Sequence, residues 1–138
     1  MAETTFETLD DLRAAVGRHL GASDWVSVTK ARISDFALAT GTGDDGVSAP
    51  PLLVLALTNL FLPQIVEVRG AAMGVNYGTG EVRFGPPAPV GSRVRGRADL
   101  VGCDGVRGGV QTTMRITVDV EDRDEPACVV EALSRWLQ

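Results

Sequence analysis

PPLLVLALTNLFLP, residues 50 to 63, decides the fold. Apart from Thr58 and Asn59 the run is apolar on every side, so as a helix it has no face to offer water and must be buried all round. Pro50 and Pro51 suit a first helical turn, whose N–H groups have no partner within the helix, and Ser48 can cap it. A helix over 51–62 is expected. It is far too short to cross a bilayer, which takes about 20 apolar residues.

Something has to enclose such a helix, and the sequence after it supplies a sheet. Val94, Gly96, Ala98 and Leu100 alternate with Arg93, Arg95, Arg97 and Asp99. Val110, Thr112, Met114, Ile116, Val118 and Val120 alternate with Gln111, Thr113, Arg115, Thr117 and Asp119. A period of two is the signature of a half-buried strand. The two runs flank the glycine-rich GCDGVRGG (102–109), so they should pair as a hairpin with a charged outer face. A last run, Cys128 to Trp136, puts Val130, Ala132 and Ser134 on one face, small enough for a helix to approach. AAMGVNY (71–77) reads as a further strand, closed by a turn at Gly78-Thr79-Gly80, and PPAPVG (86–91) as a rigid connector.

Upstream, Leu9, Leu12, Ala15, Val16 and Leu20 recur at helical spacing, predicting an amphipathic helix over residues 8 to 19 with His19 on its polar or boundary face. Ile33, Phe36, Ala37 and Thr40 repeat the pattern before Gly41, a natural helix stop. The expected architecture is α+β, an antiparallel sheet wrapped around a long central helix, with residues 1–138 forming one domain.

Composition narrows the function classes. A net charge of −5 and a pI near 4.8 argue against nucleic acid and against an anionic membrane surface. MAETTFETLDD carries no basic n-region or apolar h-region, which points to the cytoplasm. Cys103 and Cys128 lack metal-ligand spacing and read as free thiols. Gly78-Thr79-Gly80 has neither the strand-loop-helix setting nor the Lys of a phosphate cradle. No metal or other cofactor is expected.

Three ordered segments carry a resemblance: LGASDWVSVTKARISDFALATG (20–41), VRGAAMGVNYGTGEVRFGPPAPVGSRVRG (68–96) and EPACVVEALSRWL (125–137). Together they resemble the MaoC-like hydratase/dehydratase family, which implies a hot-dog fold and water addition or removal on an enoyl-thioester. Its members follow the ATG turn with an Asp and, five residues later, a His. After Ala39-Thr40-Gly41 this chain has Thr42 and, five residues on, Val47; starting from Asp44 or Asp45 puts Ala49 or Pro50 at the His position. The family's second signature, a His-Gly pair opening the central helix, falls on Pro50-Pro51, and most of the lobe between the two signatures is missing. General acid-base catalysis contributes about 10²–10⁴-fold. Without its two proton carriers the site cannot run the family reaction in the family way.

The resemblance further implies a homodimer, with ligand sites at the subunit interface beside the start of the central helix. Around that place Asp44 and Asp45 are the nearest acids, read either as a polar turn or as a general acid if burial raises a pKa. Thr58 and Asn59 need partners in an apolar helix, and Asn59 can also meet a ligand. Met73 and Val75 share a strand face and read either as core or as the wall of a substrate pocket, with Asn76 and Tyr77 as polar contacts. Trp25 should pack the connector against the sheet. His19, the only histidine, reads as structural. Three functions fit: a cyclase-type enzyme of polyketide-like biosynthesis, acting on a small hydrophobic substrate by pocket shape; a silent hydratase-like subunit or ligand carrier; and a hydratase using Asp44 or Asp45.

Overall fold

A computed structural model describes residues 1–138. Strand β1 (Thr4–Phe6) leads into helix α1 (Leu9–Ala14), strands β2 (His19–Ala22) and β3 (Val26–Ser27), and helix α2 (Lys30–Thr40). Helices α3 (Pro51–Ala56) and α4 (Thr58–Ile65) follow, then strands β4 (Val66–Val68), β5 (Met73–Phe84), β6 (Arg93–Val106), β7 (Gly109–Val120) and β8 (Cys128–Leu137). The main sheet runs β2-β6-β7-β8-β5, with β3 also on β6; β1 and β4 form a separate parallel pair.

The apolar rod at 51–65 lies in the concave face of this sheet. Val54, Phe61 and Ile65 are fully buried against Val94, Ala98, Leu100, Met114, Ile116 and Val118, which the period-two pattern had placed on one face. Gly96 lets the rod come this close: a Cβ there would stand 2.9 Å from Phe61 Cβ and Cδ2. The rod is jointed, however, and not one continuous helix. At Leu57 the helical pattern breaks, the Thr58 hydroxyl donates to the Leu55 carbonyl (2.7 Å), and Pro63 has no N–H with which to satisfy the Asn59 carbonyl. Nor is it buried all round, since Leu52 and Leu60 are exposed. The helix starts without a side-chain cap, because its N-cap is Pro50, which has no polar side chain, and Ser48, two residues earlier, donates its hydroxyl to Asp45.

The hairpin forms as read, but its strands run through most of the glycine-rich segment and leave a two-residue turn, Arg107-Gly108, with Gly108 at φ 85°. Its outer face is laced by cross-strand pairs. Arg97 grips Asp119 with two hydrogen bonds (2.6 and 3.1 Å), Arg93 pairs with Glu121, and the Arg95 guanidinium stacks 4.5 Å from the Trp25 ring centroid.

Two further readings are corrected. The N-terminal helix ends at Ala14; Gly17 adopts φ 96° and His19 enters strand β2, where its Nδ1 meets Asp99 Oδ1 at 2.8 Å. The spacing of Val16 and Leu20 misled because Leu20 is buried from a strand. Likewise Gly78-Thr79-Gly80 is no turn: β5 continues through it with register shifts against β8 between Asn76 and Gly78 and between Thr79 and Val82. Glycines there accommodate a bulge. Helix α2 stops as expected, with Gly41 at φ 70°.

Candidate functional site

A cavity of about 930 Å³ lies between the rod and the inner face of β5 and β8. Leu55, Ala56, Asn59 and Leu62 form its roof, Ile116, Val130 and Ala132 its floor, and Gly74, Val75, Asn76, Gly78 and Thr79 one wall. The space exists because the floor side chains are short and the rod leans towards β6, where Phe61 is locked over Gly96.

Trp136 closes one end. Its Nε1 donates to Thr112 Oγ1 (2.9 Å), which fixes the indole plane. The opposing residue on β5 is Gly74, where a Cβ would come within 2.9 Å of Trp136 Cζ3, so the ring lies against bare backbone. Ser134, 8% exposed, faces the same space and pairs in register with Asn76. Asn76 Nδ2 donates to Asn59 Oδ1 (3.1 Å), tying strand to helix across the cavity mouth.

The rest of the lining is mostly apolar, with Thr58 and Thr79 adding hydroxyls. No histidine, lysine or arginine reaches it, and Glu67 is its only side-chain acid. Glu67 sits at the rim, engaged by Arg69 (3.4 Å) and the Thr5 hydroxyl (3.3 Å). Nowhere do three or more His, Cys, Asp or Glu side chains gather closely enough to hold a metal ion.

The residues singled out from the sequence divide sharply. Asn59, Val75 and Asn76 line the cavity. Met73 and Tyr77 do not. Both are exposed, and the Arg135 guanidinium lies 3.8 Å from the centroid of the Tyr77 ring. Strand alternation puts Met73, Val75 and Tyr77 on the face opposite Gly74 and Asn76, and of these three only the half-buried Val75 borders the cavity.

Asp44 and Asp45 are exposed in the loop before the rod, outside the cavity lining. Asp45 Oδ1 accepts the Val47 and Ser48 N–H groups (both 2.9 Å) and Oδ2 the Ser48 hydroxyl (2.9 Å). These bonds hold its carboxyl below the usual range, beginning with the Val47 N–H. That is the opposite of what a general acid needs. His19 is likewise outside the cavity, half exposed on β2.

Sequence reasoning missed Ser134 and Trp136 as site residues. Their alternation already placed them inward; what it could not show is that the rod leaves the space above them unfilled.

The site and fold define a hot-dog domain with a ligand-sized cavity between helix and sheet. No protein-family model matches the chain. It is similar to 3-hydroxyacyl-thioester dehydratase Z of Mycobacterium tuberculosis, with 40% identity over 148 residues, covering 96% of this chain and 98% of that protein. Among solved structures it resembles a monoamine oxidase regulatory protein from Archaeoglobus fulgidus (TM-score 0.80, 16% identity, 100% and 99% of the two chains covered). A MaoC-like dehydratase from Rhodospirillum rubrum is also close (TM-score 0.74, 18% identity, 95% and 97% covered). The chain belongs to the MaoC-like dehydratase family. The 148-residue alignment with the mycobacterial protein is longer than the 138 residues present here, so that relative has residues with no counterpart in this chain.

Proposed function

We propose that this chain, acting as one domain over residues 1–138, is a repurposed member of its family. It works as a cytoplasmic homodimer and folds a small hydrophobic substrate for ring closure, a cyclase-type role on a polyene or polyketide-like intermediate. The observation that carries the reading is a cavity of about 930 Å³ with an apolar floor, a mostly apolar roof and no acid-base pair among its lining residues. Holding reactive ends in near-attack geometry supplies about 7–11 kcal/mol. That route needs no proton carrier, and none of the positions expected to hold one in this family has it: Thr42, Val47 and Pro50 stand there.

Dimerisation is supported by β5, a twelve-residue strand at the sheet edge with Met73, Tyr77 and Phe84 exposed along it. An open edge of that length is normally covered by another strand. The same edge favours a second reading, a silent subunit of a hydratase-like pair, because another hot-dog chain can cover it as well as a copy can.

The test is a steady-state assay on linear polyene thioesters with mass-spectrometric detection of ring closure. Ala132→Phe, which fills the cavity floor, should lower the rate more than tenfold, whereas Asp44→Ala and Asp45→Ala leave it unchanged. Crotonyl-CoA hydration should not reach the ordinary enzyme range of about 1–10³ s⁻¹. A bell-shaped pH profile abolished by one carboxylate substitution overturns the shape-based mechanism, and activity only in the presence of a second, different chain favours the silent subunit.

A further inference from the structure

We infer that the cavity selects a ligand whose apolar body carries one uncharged hydrogen-bonding group, a ketone, hydroxyl or amide, read by Asn59, Asn76 and Ser134. The inference rests on the cavity reading above and names the class of ligand it takes.

The three side chains leave hydrogen-bonding groups unused. In the bond between Asn76 and Asn59, one amide N–H meets one amide oxygen at 3.1 Å. Whichever way the two amides are turned, the pair keeps one free carbonyl oxygen and one free NH₂ group. Directly across the strand pairing from Asn76 stands Ser134, over nine-tenths buried in the lining, whose hydroxyl has no hydrogen-bond partner in the chain. The neighbouring polar groups are already committed: Thr112 Oγ1 accepts from Trp136, and the Thr58 hydroxyl is bound to the Leu55 carbonyl. That hydroxyl opens onto the cavity, where only water or a ligand can complete its hydrogen bonding.

Charge then narrows the class. No lysine, arginine or histidine side chain lines the cavity, Glu67 adds negative charge at the rim, and the only cation bordering it is the amino terminus at Met1, so a carboxylate or phosphate entering here would gain little counter-charge for the hydration it loses. Paired amides and a hydroxyl suit a neutral dipole, offering both donor and acceptor to it. Such a site rejects a ligand lacking the group, because its own polar atoms would then stay unpaired.

The test uses tryptophan fluorescence in a Trp25→Phe background, which leaves Trp136 in the cavity wall as the sole indole. The probes are 2-decanone, 1-decene and decanoate. The expected result is that 2-decanone perturbs Trp136 emission with a Kd at least tenfold below that of 1-decene, and that decanoate binds more weakly than the ketone. Asn59→Leu, at an exposed helix position where folding is not at stake, and Ser134→Ala should each cut the ketone preference at least threefold while 1-decene binding holds. Equal affinity for ketone and alkene, or tightest binding of decanoate, overturns this inference and leaves the cavity reading intact. Binding of none of the three overturns both.

Discussion

Replacing Gly96 by alanine tests the contact that positions the rod, and the sign of the effect alone is informative. At a strand glycine with room for a methyl group, alanine stabilises by about 0.4–1 kcal/mol through the unfolded chain. Here the added Cβ would stand 2.9 Å from two Phe61 atoms, and Phe61 is 0% exposed, with no free space to retreat into. Overpacking of that kind costs about 1–3 kcal/mol. An unfolding entropy of about 2.1 cal/mol/K per residue gives about 0.3 kcal/mol/K for 138 residues. A loss of about 2 kcal/mol therefore lowers Tm by about 7 °C. Urea unfolding of Gly96→Ala, Phe61→Leu and the double variant closes the cycle. Leucine keeps Cβ and Cγ but removes the ring, relieving part of the clash, so the double variant should be more stable than additivity allows by about 0.5 kcal/mol or more. A stabilised Gly96→Ala, or strict additivity, would refute the close packing of helix on sheet.

Burial pushes the Cys128 thiol up to about 11. It should resist alkylation at pH 8 in the folded protein and react on unfolding, whereas the partly exposed Cys103, which burial also raises, should react slowly but measurably. The unfolded chain loses the Cys128 proton near pH 9 and the folded chain only near 11, so its contribution to stability is complete below about pH 9 and declines between the two, readable by urea titration at stepped pH. Asp45 has the reverse sign. Its lowered pKa favours the folded loop above the usual carboxylate range and the benefit fades as pH falls through its folded value, so Asp45→Asn should flatten the acid limb of a loop-specific hydrogen-exchange profile. If the proposed dimer pairs through the β5 edge, Thr79→Pro should convert it to monomer in analytical ultracentrifugation; a monomeric parent protein refutes the dimer, and an unchanged dimer mass refutes that edge as its contact.

The core was legible because its signal is periodic. Val94 to Leu100 and Val110 to Val120 alternate without interruption, and one register buries them all. Helix ends were less so: Leu20 kept the helical spacing of α1 by coincidence, and only the strand pairing around Gly21 shows the chain has changed state. At the site, the sequence indicated Asn59, Val75 and Asn76, but it read Met73 as core or pocket wall by analogy with the family's tunnel-lining strand, and nothing in AAMGVNY alone shows which of the two strand faces turns inward. Ser134 and Trp136 illustrate the deeper limit. A residue's facing is local information, whereas an unfilled volume depends on where a distant helix comes to rest, and here that is set by Phe61 meeting Gly96.

Ile116 and Val130 are each 1% exposed members of the core and at the same time floor of the cavity. Depth and fold are therefore one property of this chain, and any change that deepens or fills the floor draws on stability, which for a domain is only about 5–15 kcal/mol. The rim behaves differently: Asn59, Asn76 and Thr79 are exposed and can be exchanged with little effect on folding. A mutational library aimed at new ligands should therefore diversify the mouth freely and admit floor changes only in compensating pairs, so that variants differ in what they admit long before they differ in how well they fold.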